Sequence, residues 1–358
     1  MKVEQVIMMI VHLILAASIA VYPFLSKRNI AFGIKMPLNF YENRAVKNIR
    51  YVFITMIVSV GVVMTLVSGL FLSEMMSLVI LFGALFLYFM IYLYAHVKMK
   101  HLKKSEQWLE SKEQKTVIST EFRKRRLTVP YYWHGFYIII FVVTIGVALV
   151  KYESLPSQLP VQMNSLGETS RMMPKFEALT YQIGLQFVVM LLMMFVQYII
   201  KAAKQDLSND DITQSLEDNV RFRYNISKII FALGAIVGLT FMFSVFMSLL
   251  IIKSLTVFLA LTMGSTFGIT ILLIVFSVKY GQDGSRLMIK DSRPEGDFID
   301  KEDDRYWKLG MIYFNKKDPS VFISKRVGVG WSVNHARWQA WAFYILIIAF
   351  IVVVSIIS

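Results

Sequence analysis

Eight stretches of this chain contain no aspartate, glutamate, lysine or arginine: 5–25, 51–72, 75–97, 133–150, 178–200, 229–252, 255–278 and 338–357. Each is close to the roughly 20 residues that a helix needs to cross the hydrocarbon of a bilayer. Inside lipid no water satisfies the backbone, so a spanning segment is either a helix or a strand of a closed barrel. Barrel strands are shorter and alternate in polarity. These runs are apolar on every face, so helices are expected. The fold class read from the sequence is an all-α integral membrane protein, a bundle of about eight transmembrane helices. Composition agrees, with 56% hydrophobic and only 17% charged residues, a balance foreign to soluble domains. Few residues separate the second run from the third and the sixth from the seventh, which predicts two tight helical hairpins.

Charge sets the expected orientation, because lysine and arginine collect in cytoplasmic loops. Segments 26–50, 98–130, 201–228 and 279–337 hold 33 of the 38 basic residues and 19 of the 24 acidic ones, and the rest of the chain holds five of each. The whole formal charge of +14 therefore falls on one side. That side is the expected cytoplasmic face, which puts both termini and segment 151–177 outside. Lys2 precedes the first run and is offset by Glu4, whereas Lys27 and Arg28 follow it. The run thus reads as an uncleaved spanning helix rather than a secretory signal. The basic surplus follows topology and suits anionic headgroups; it calls for no nucleic acid. Without cysteine the chain has no disulfide and no thiolate metal site.

Five segments organise the chain. Residues 1–150 form an N-terminal four-span region with basic cytoplasmic loops, and 151–177 an extracellular loop. Residues 178–278 add three spans, 279–337 a cytoplasmic aromatic module, and 338–358 the last span. Residues 98–126 mix lysine and glutamate without glycine or proline, which predicts a helix continuing from the third span. In "RYWKLGMIYFNKKDPSVFISKRVGVGWSVNHARW", two aromatic and β-branched runs flank the turn-forming "NKKDP", the pattern of a short β-hairpin at the membrane surface. "GAIVG" carries Gly234 and Gly238, and "GSTFG" carries Gly264 and Gly268. Small residues four apart let helices approach closely, so the sixth and seventh spans are expected to pack through these glycines.

The stretch "SLPSQLPVQMNSLGETSRMMPK" is polar and turn-rich although it lies between two apolar runs. Pro156 and Pro160 fix φ, Gly167 permits a tight reversal, and Asn164 can hydrogen-bond nearby backbone. The stretch resembles the extracellular loop of the SdpI-type membrane proteins, the bacterial family of immunity to secreted toxic peptides. The usual pattern there is LP, a few residues, IP, H-aromatic-N, two residues, G, and a downstream D and K. Leu155, Pro156, Leu159, Pro160, Asn164, Gly167 and Lys175 fall into place, while Gln162 stands where histidine is usual and Ser170 where aspartate is usual. "FGIKMP" at 32–37 resembles a recurrent element of these proteins. The C-terminal aromatic stretch resembles a cytoplasmic module found in a subset of them, here carrying Tyr306, Trp307, Gly310, Asn315, Asp318, Pro319, Arg326, Gly328 and Gly330. The resemblance implies a bacterial plasma-membrane protein whose outer loop, through Leu155, Pro156, Pro160, Gln162, Asn164, Gly167 and Lys175, recognises or excludes a membrane-active peptide. It also implies immunity or signalling, with the cytoplasmic segments reporting the event.

Catalytic signatures are missing from the sequence: it has no HExxH, no GxSxG, no P-loop and no dinucleotide fingerprint. His12, His96, His101, His134 and His335 are scattered without ligand spacing. No enzyme activity, cofactor or metal is therefore expected. Two other readings stay open. A small-molecule or lipid transporter normally buries a charged group in the membrane, and these spans have none; His12, Gln182, Gln186 and Gln197 are expected to make interhelical hydrogen bonds. A regulator that sequesters a cytoplasmic transcription factor is suggested by the resemblance alone. The expected partners are the lipid bilayer, a secreted toxic peptide and a cytoplasmic regulator, with no direct nucleic-acid contact. No residue pattern sets the oligomeric state.

Overall fold

A helix occupies each apolar run in the computed structural model, which describes residues 3–70, 74–106, 108, 113–115, 119–163, 169–207, 212–252, 254–281, 284, 298–300 and 303–357. In chain order the helices are α1 (Val3–Leu25), α2 (Arg44–Leu70), α3 (Glu74–Ser105), α4 (Gly135–Lys151), α5 (Lys175–Ala202), α6 (Ile212–Ser248), α7 (Leu255–Tyr280) and α8 (Trp338–Ile357). Among the described residues α1 to α7 are long and apolar enough to cross a membrane, and α8 is a shorter apolar helix over Trp338–Val352. Val62, Phe82, Ile139, Leu191 and Ile271 stand exposed along these helices, a surface suited to lipid and not to water. Short antiparallel strand pairs join them, making an all-α membrane bundle that carries small β-hairpins.

The chain divides into two compact units, one of Met1–Phe122, Ala203–Asn219 and Ser277–Tyr344, the other of Arg123–Ala202, Val220–Phe276 and Ile345–Ser358. In the first, α1, α2 and α3 pack around a core that includes Ala16, Tyr22, Phe32, Phe53, Ile57, Ala84 and Tyr92. Small side chains set the distance between α1 and α2: a Cβ built on Gly61 would lie 2.4 Å from Ala16 Cβ and 3.3 Å from Tyr88 Oη. At one end of this core Tyr22, Phe32 and Phe53 meet edge to face, with Phe32 and Phe53 centroids 5.0 Å apart, a favourable aromatic geometry. α3 ends at Ser105 and does not continue through residue 126 as the charge pattern predicted. The reason lies in Trp108, which turns back to bury its ring against Phe40 at 4.8 Å; a continuing helix would carry that indole away from the core. Further on, Glu113–Lys115 pairs in parallel with Phe298–Asp300.

In the second unit α4, α5 and α6 enclose Tyr137, Met190 and Ala235. Here the glycine expectation needs correction. A Cβ on Gly234 would meet Tyr137 Oη of α4 at 2.2 Å and Met193 Cγ of α5 at 3.0 Å, and one on Gly238 would meet Ile140 Cδ1 of α4 at 3.8 Å. A Cβ on Gly264 or Gly268 would meet nothing within 4 Å. The α6 pair therefore makes room for α4 and α5, and the α7 pair holds no helix close. Spacing marks a smooth helix face but cannot name the neighbour that fills it.

These distances predict that Gly61→Leu overpacks the crossing of α1 and α2 and lowers stability by about 1 to 3 kcal/mol, whereas Gly264→Leu leaves it unchanged. Thermal unfolding in detergent, read beside membrane abundance, checks both. Equal losses at the two positions would contradict the packing described.

Candidate functional site

Between α4 and α5, Gln158–Met163 and Thr169–Pro174 form an antiparallel hairpin with Leu159 opposite Met173 and Pro160 opposite Met172. Strand residues alternate between faces, and the alternation is visible here: Leu159 and Met173 are buried while Met172 is 48% exposed. Leu155 joins Leu159 and Met173 in a cluster with Ala148, Ala178, Leu179, Val245 and Leu249. The hairpin is thus seated on the ends of α4, α5 and α6. The ladder is irregular between Pro160 and Met163, where proline supplies no N–H. The Pro160 carbonyl instead accepts from Ser248 Oγ at 3.1 Å, and Ser248 accepts from Gln182 Nε2 at 2.9 Å.

The base of the hairpin is closed by Lys175, whose backbone N–H donates to Ser157 at 2.9 Å. Its ammonium donates to the Tyr152 carbonyl at 3.1 Å and lies 4.4 Å from the centre of that ring, a cation–π contact. Of the residues singled out in the sequence, Leu155, Pro160 and Lys175 therefore anchor the hairpin and Pro156 is exposed. Gln162 pairs with Arg171 through the backbone; Asn164 and Gly167 lie outside the described residues. Below the hairpin, Gln186 Nε2 donates to Thr144 Oγ1 and to the Gly238 carbonyl at 3.2 and 3.1 Å, and Gln197 Nε2 to the Ser227 carbonyl at 2.6 Å. The three glutamines thus make the expected interhelical hydrogen bonds, whereas His12, buried on α1, makes none among the described residues.

In the first unit the "FGIKMP" stretch and the aromatic module meet. Ile30–Ala31 and Ile34–Lys35 form a hairpin whose two turn residues, Phe32 and Gly33, both have positive φ, 49° and 77°. A two-residue turn of that kind matches strand twist, but a phenylalanine in it is strained. Phe32 is held there by burial of its ring and by its carbonyl, which accepts from His96 Nδ1 at 2.8 Å and Tyr92 Oη at 3.3 Å. The module answers with a three-residue turn: Trp307–Lys308 pairs with Ile312–Tyr313 around Leu309, Gly310 and Met311, the first two again at positive φ. The two glycines touch backbone to backbone, so a Cβ on Gly33 would fall 2.4 Å from Gly310 Cα.

Ionic groups fasten this contact. Arg326, 4% exposed at its side chain, is paired with Asp303 and Asp304 and donates to the Gly33 carbonyl at 2.8 Å. Its guanidinium lies 5.0 Å from the Trp307 ring centre, and Lys103 of α3 also pairs with Asp304. Trp307 Nε1 donates to Asp303 at 3.2 Å, and the Tyr306 ring meets Tyr313 edge to face. A second hairpin, Phe322–Ser324 with Trp331–Val333, turns through Gly328 and Gly330, both at positive φ. "NKKDP" is thus the connector between two hairpins rather than the tip of one. Asp318 in it accepts from Lys204 Nζ at 2.7 Å and Tyr313 Oη at 3.0 Å, Asn315 donates to Tyr313 Oη at 3.1 Å, and Pro319 is exposed. Asn334 clasps the connector through the Asn315 N–H and the Asn315 and Asp318 carbonyls, and Arg337 through the Asp318 carbonyl.

Sequence reasoning missed Asp303, Asp304, Lys103, Tyr92, His96, Lys204, Asn334 and Arg337. No local pattern links the two acids to an arginine more than 20 positions away. Burial alone would raise the Asp304 carboxyl, but Arg326 and Lys103 outweigh it and hold it below its ordinary range. At Asp318 burial is likewise outweighed, by Lys204 and the Ser320 N–H. A depressed folded value stabilises above the ordinary aspartate value, and the contribution is lost as pH falls through the folded one.

The module contacts should therefore hold at neutral pH and weaken on acidification below the ordinary value of 3.8, followed by tryptophan fluorescence; Asp304→Asn should flatten that dependence. Arg326→Met should cost about 3 kcal/mol, the low end for breaking a buried pair, because Asp303 is already 34% exposed. Arg326→Lys should recover only part of it, since the ammonium cannot bridge both acids. Unfolding curves identical for all three proteins would remove the knot from any structural role.

A family described as "Family of unknown function (DUF5808)" has a profile that matches residues 316–341. The match begins in the connector and runs through the second hairpin into α8, taking in Asp318, Arg326, Asn334 and Arg337. No curated protein and no solved structure matches the chain.

Proposed function

We propose that this is a non-catalytic multi-pass protein of the bacterial plasma membrane, of the SdpI immunity or signalling type, whose α4–α5 hairpin meets a membrane-active peptide on the outer side. One observation carries the reading: a turn-rich loop between two spans is preformed as a two-stranded sheet, anchored inward by Leu155, Leu159 and Met173, with no third strand beside it among the described residues. Unpaired strand edges are templates for an added strand, and β-augmentation is a recurrent way of holding an extended peptide. Orientation in the proposal comes from the basic residues, 33 of 38 of which lie in four alternate segments. The aromatic module then faces the cytoplasm, where a regulator could read it. Transport draws less support, because Gln182, Gln186 and Gln197 are each spent on a neighbouring helix or loop.

Single-cysteine variants test the orientation cleanly in a chain without cysteine. Ser165→Cys should react with an impermeant maleimide in intact cells and Ser320→Cys only after permeabilisation; the reverse pattern overturns the topology. For recognition, Met172→Asp changes an exposed side chain and should abolish survival of a sensitive host under challenge with secreted peptides, at equal membrane level. Asn164→Ala and Gly167→Val should do the same. Leu159→Ala is the stability control, expected to cost about 2 to 5 kcal/mol. Full protection by the Met172, Asn164 and Gly167 variants would reduce the hairpin to a cap and favour transport through the bundle.

A further inference from the structure

In the first unit, where α1 gives way to α2, a second arginine is buried without an acid. Arg50 is 5% exposed, and its Nη1 donates to the Tyr41 carbonyl at 3.0 Å. Its Nε and Nη2 find no acceptor among the described residues, where Glu42 acts on it only at longer range, and both atoms are buried. The Tyr22 and Ser26 hydroxyls are buried beside one another, in reach of each other and of the Arg50 charge, with no other partner among the described residues. Glu42, the acid nearest in sequence, is bound to Lys47 at 2.6 Å and is 68% exposed. Arg28 adds to the imbalance: its guanidinium and that of Arg50 lie 5.2 and 4.0 Å from the centre of one ring, Tyr41.

A buried cation is ordinarily paired. The ring face of Tyr41 offsets part of the Arg50 charge but gives Nε and Nη2 nothing to donate to. Those two groups, side by side on a guanidinium, form the fork that matches two oxygens of a phosphate or carboxylate. The hydroxyls of Tyr22 and Ser26, facing each other, supply a further donor between them. We propose that Arg50, Tyr22 and Ser26 hold an oxyanion, a phosphate group, with Arg28 as the second cation. The group could be free phosphate or the headgroup of a membrane lipid, since the site lies where α1 ends and α2 begins. This assignment is independent of the peptide reading of the hairpin, which is built from other residues in the other unit.

The test uses the full-length protein, delipidated in a non-ionic detergent, and follows thermal unfolding against three titrants: inorganic phosphate, dioctanoyl phosphatidylglycerol, and dioctanoyl glycerol, which lacks the phosphate. Saturable stabilisation by either phosphate compound, absent with dioctanoyl glycerol, supports the site, and which of the two works tells a free anion from a lipid. Arg50→Lys should abolish the response by removing the fork while keeping the charge. Should that variant fold poorly, Ser26→Ala and Tyr22→Phe serve, each expected to raise the half-saturating concentration about 3- to 10-fold. No stabilisation of the unaltered protein by either phosphate compound overturns the proposal, as does a response that the Ser26 and Tyr22 variants keep unchanged.

Discussion

A charge in the middle of a bilayer is so costly that this chain places none there, and its polar chemistry is distributed accordingly. Inside the spans the work falls to amides and hydroxyls. Gln182, Gln186 and Gln197, on one buried face of α5, reach Ser248, Gly238 and Ser227 of α6. An interhelical hydrogen bond of this kind contributes modestly, about 0.6 to 2 kcal/mol, but it also fixes which residues face each other, which apolar packing in lipid does poorly. Ser248 serves two partners, accepting from Gln182 and donating to Pro160. The same hydroxyl that fixes α5 against α6 therefore seats the hairpin, and a proline that could not complete a ladder is used for its carbonyl.

Ionic pairs appear only beyond the apolar runs. Within the first unit, Arg326 with Asp303 and Asp304, Lys103 with Asp304, and Lys204 with Asp318 bind the aromatic module to the Phe32–Gly33 turn, to α3 and to Lys204. A buried ion pair is weak evidence for stability, since desolvation can cancel the attraction. Its value here is geometric. A planar guanidinium that must reach two carboxylates and the Gly33 carbonyl allows little freedom in how the two glycine turns approach. That restriction explains why Phe32 tolerates a left-handed backbone: its strain is overdetermined by a buried ring and by hydrogen bonds from Tyr92 and His96.

The spans were legible in the sequence because absence of charge over about 20 residues is a strong, local signal. So was the strand character of the module, since its aromatic and β-branched runs are local too. What escaped was the identity of each distant partner. "GSTFG" and "GAIVG" look alike, yet of the two pairs only Gly234 and Gly238 face neighbouring helices, and those neighbours are α4 and α5. Gly61, where an added Cβ would fall 2.4 Å from Ala16 Cβ of α1, sits in "SVGVV" with no companion glycine to announce it. Lys98 to Ser105 reads as helix and is helix, but the charged stretch beyond gives no sign that Trp108 will fold back onto Phe40. In the candidate site, Leu155, Pro160 and Lys175 were found by motif and turned out to anchor the hairpin, because a motif records that a residue matters without saying whether it touches a partner or holds the surface that does.

The division between anchor and surface constrains how the hairpin could work. Leu155, Leu159 and Met173 face the bundle, and Lys175 is spent on Tyr152. The chemistry free to meet another molecule is then the backbone along the strand edges and exposed side chains such as Pro156 and Met172. A binding surface made of backbone edge, proline and methionine reads length and hydrophobicity more than sequence, which suits an extended apolar peptide and does not suit a small charged solute. Because the two strands are already paired, such a peptide would meet their edges without the entropy cost of forming them.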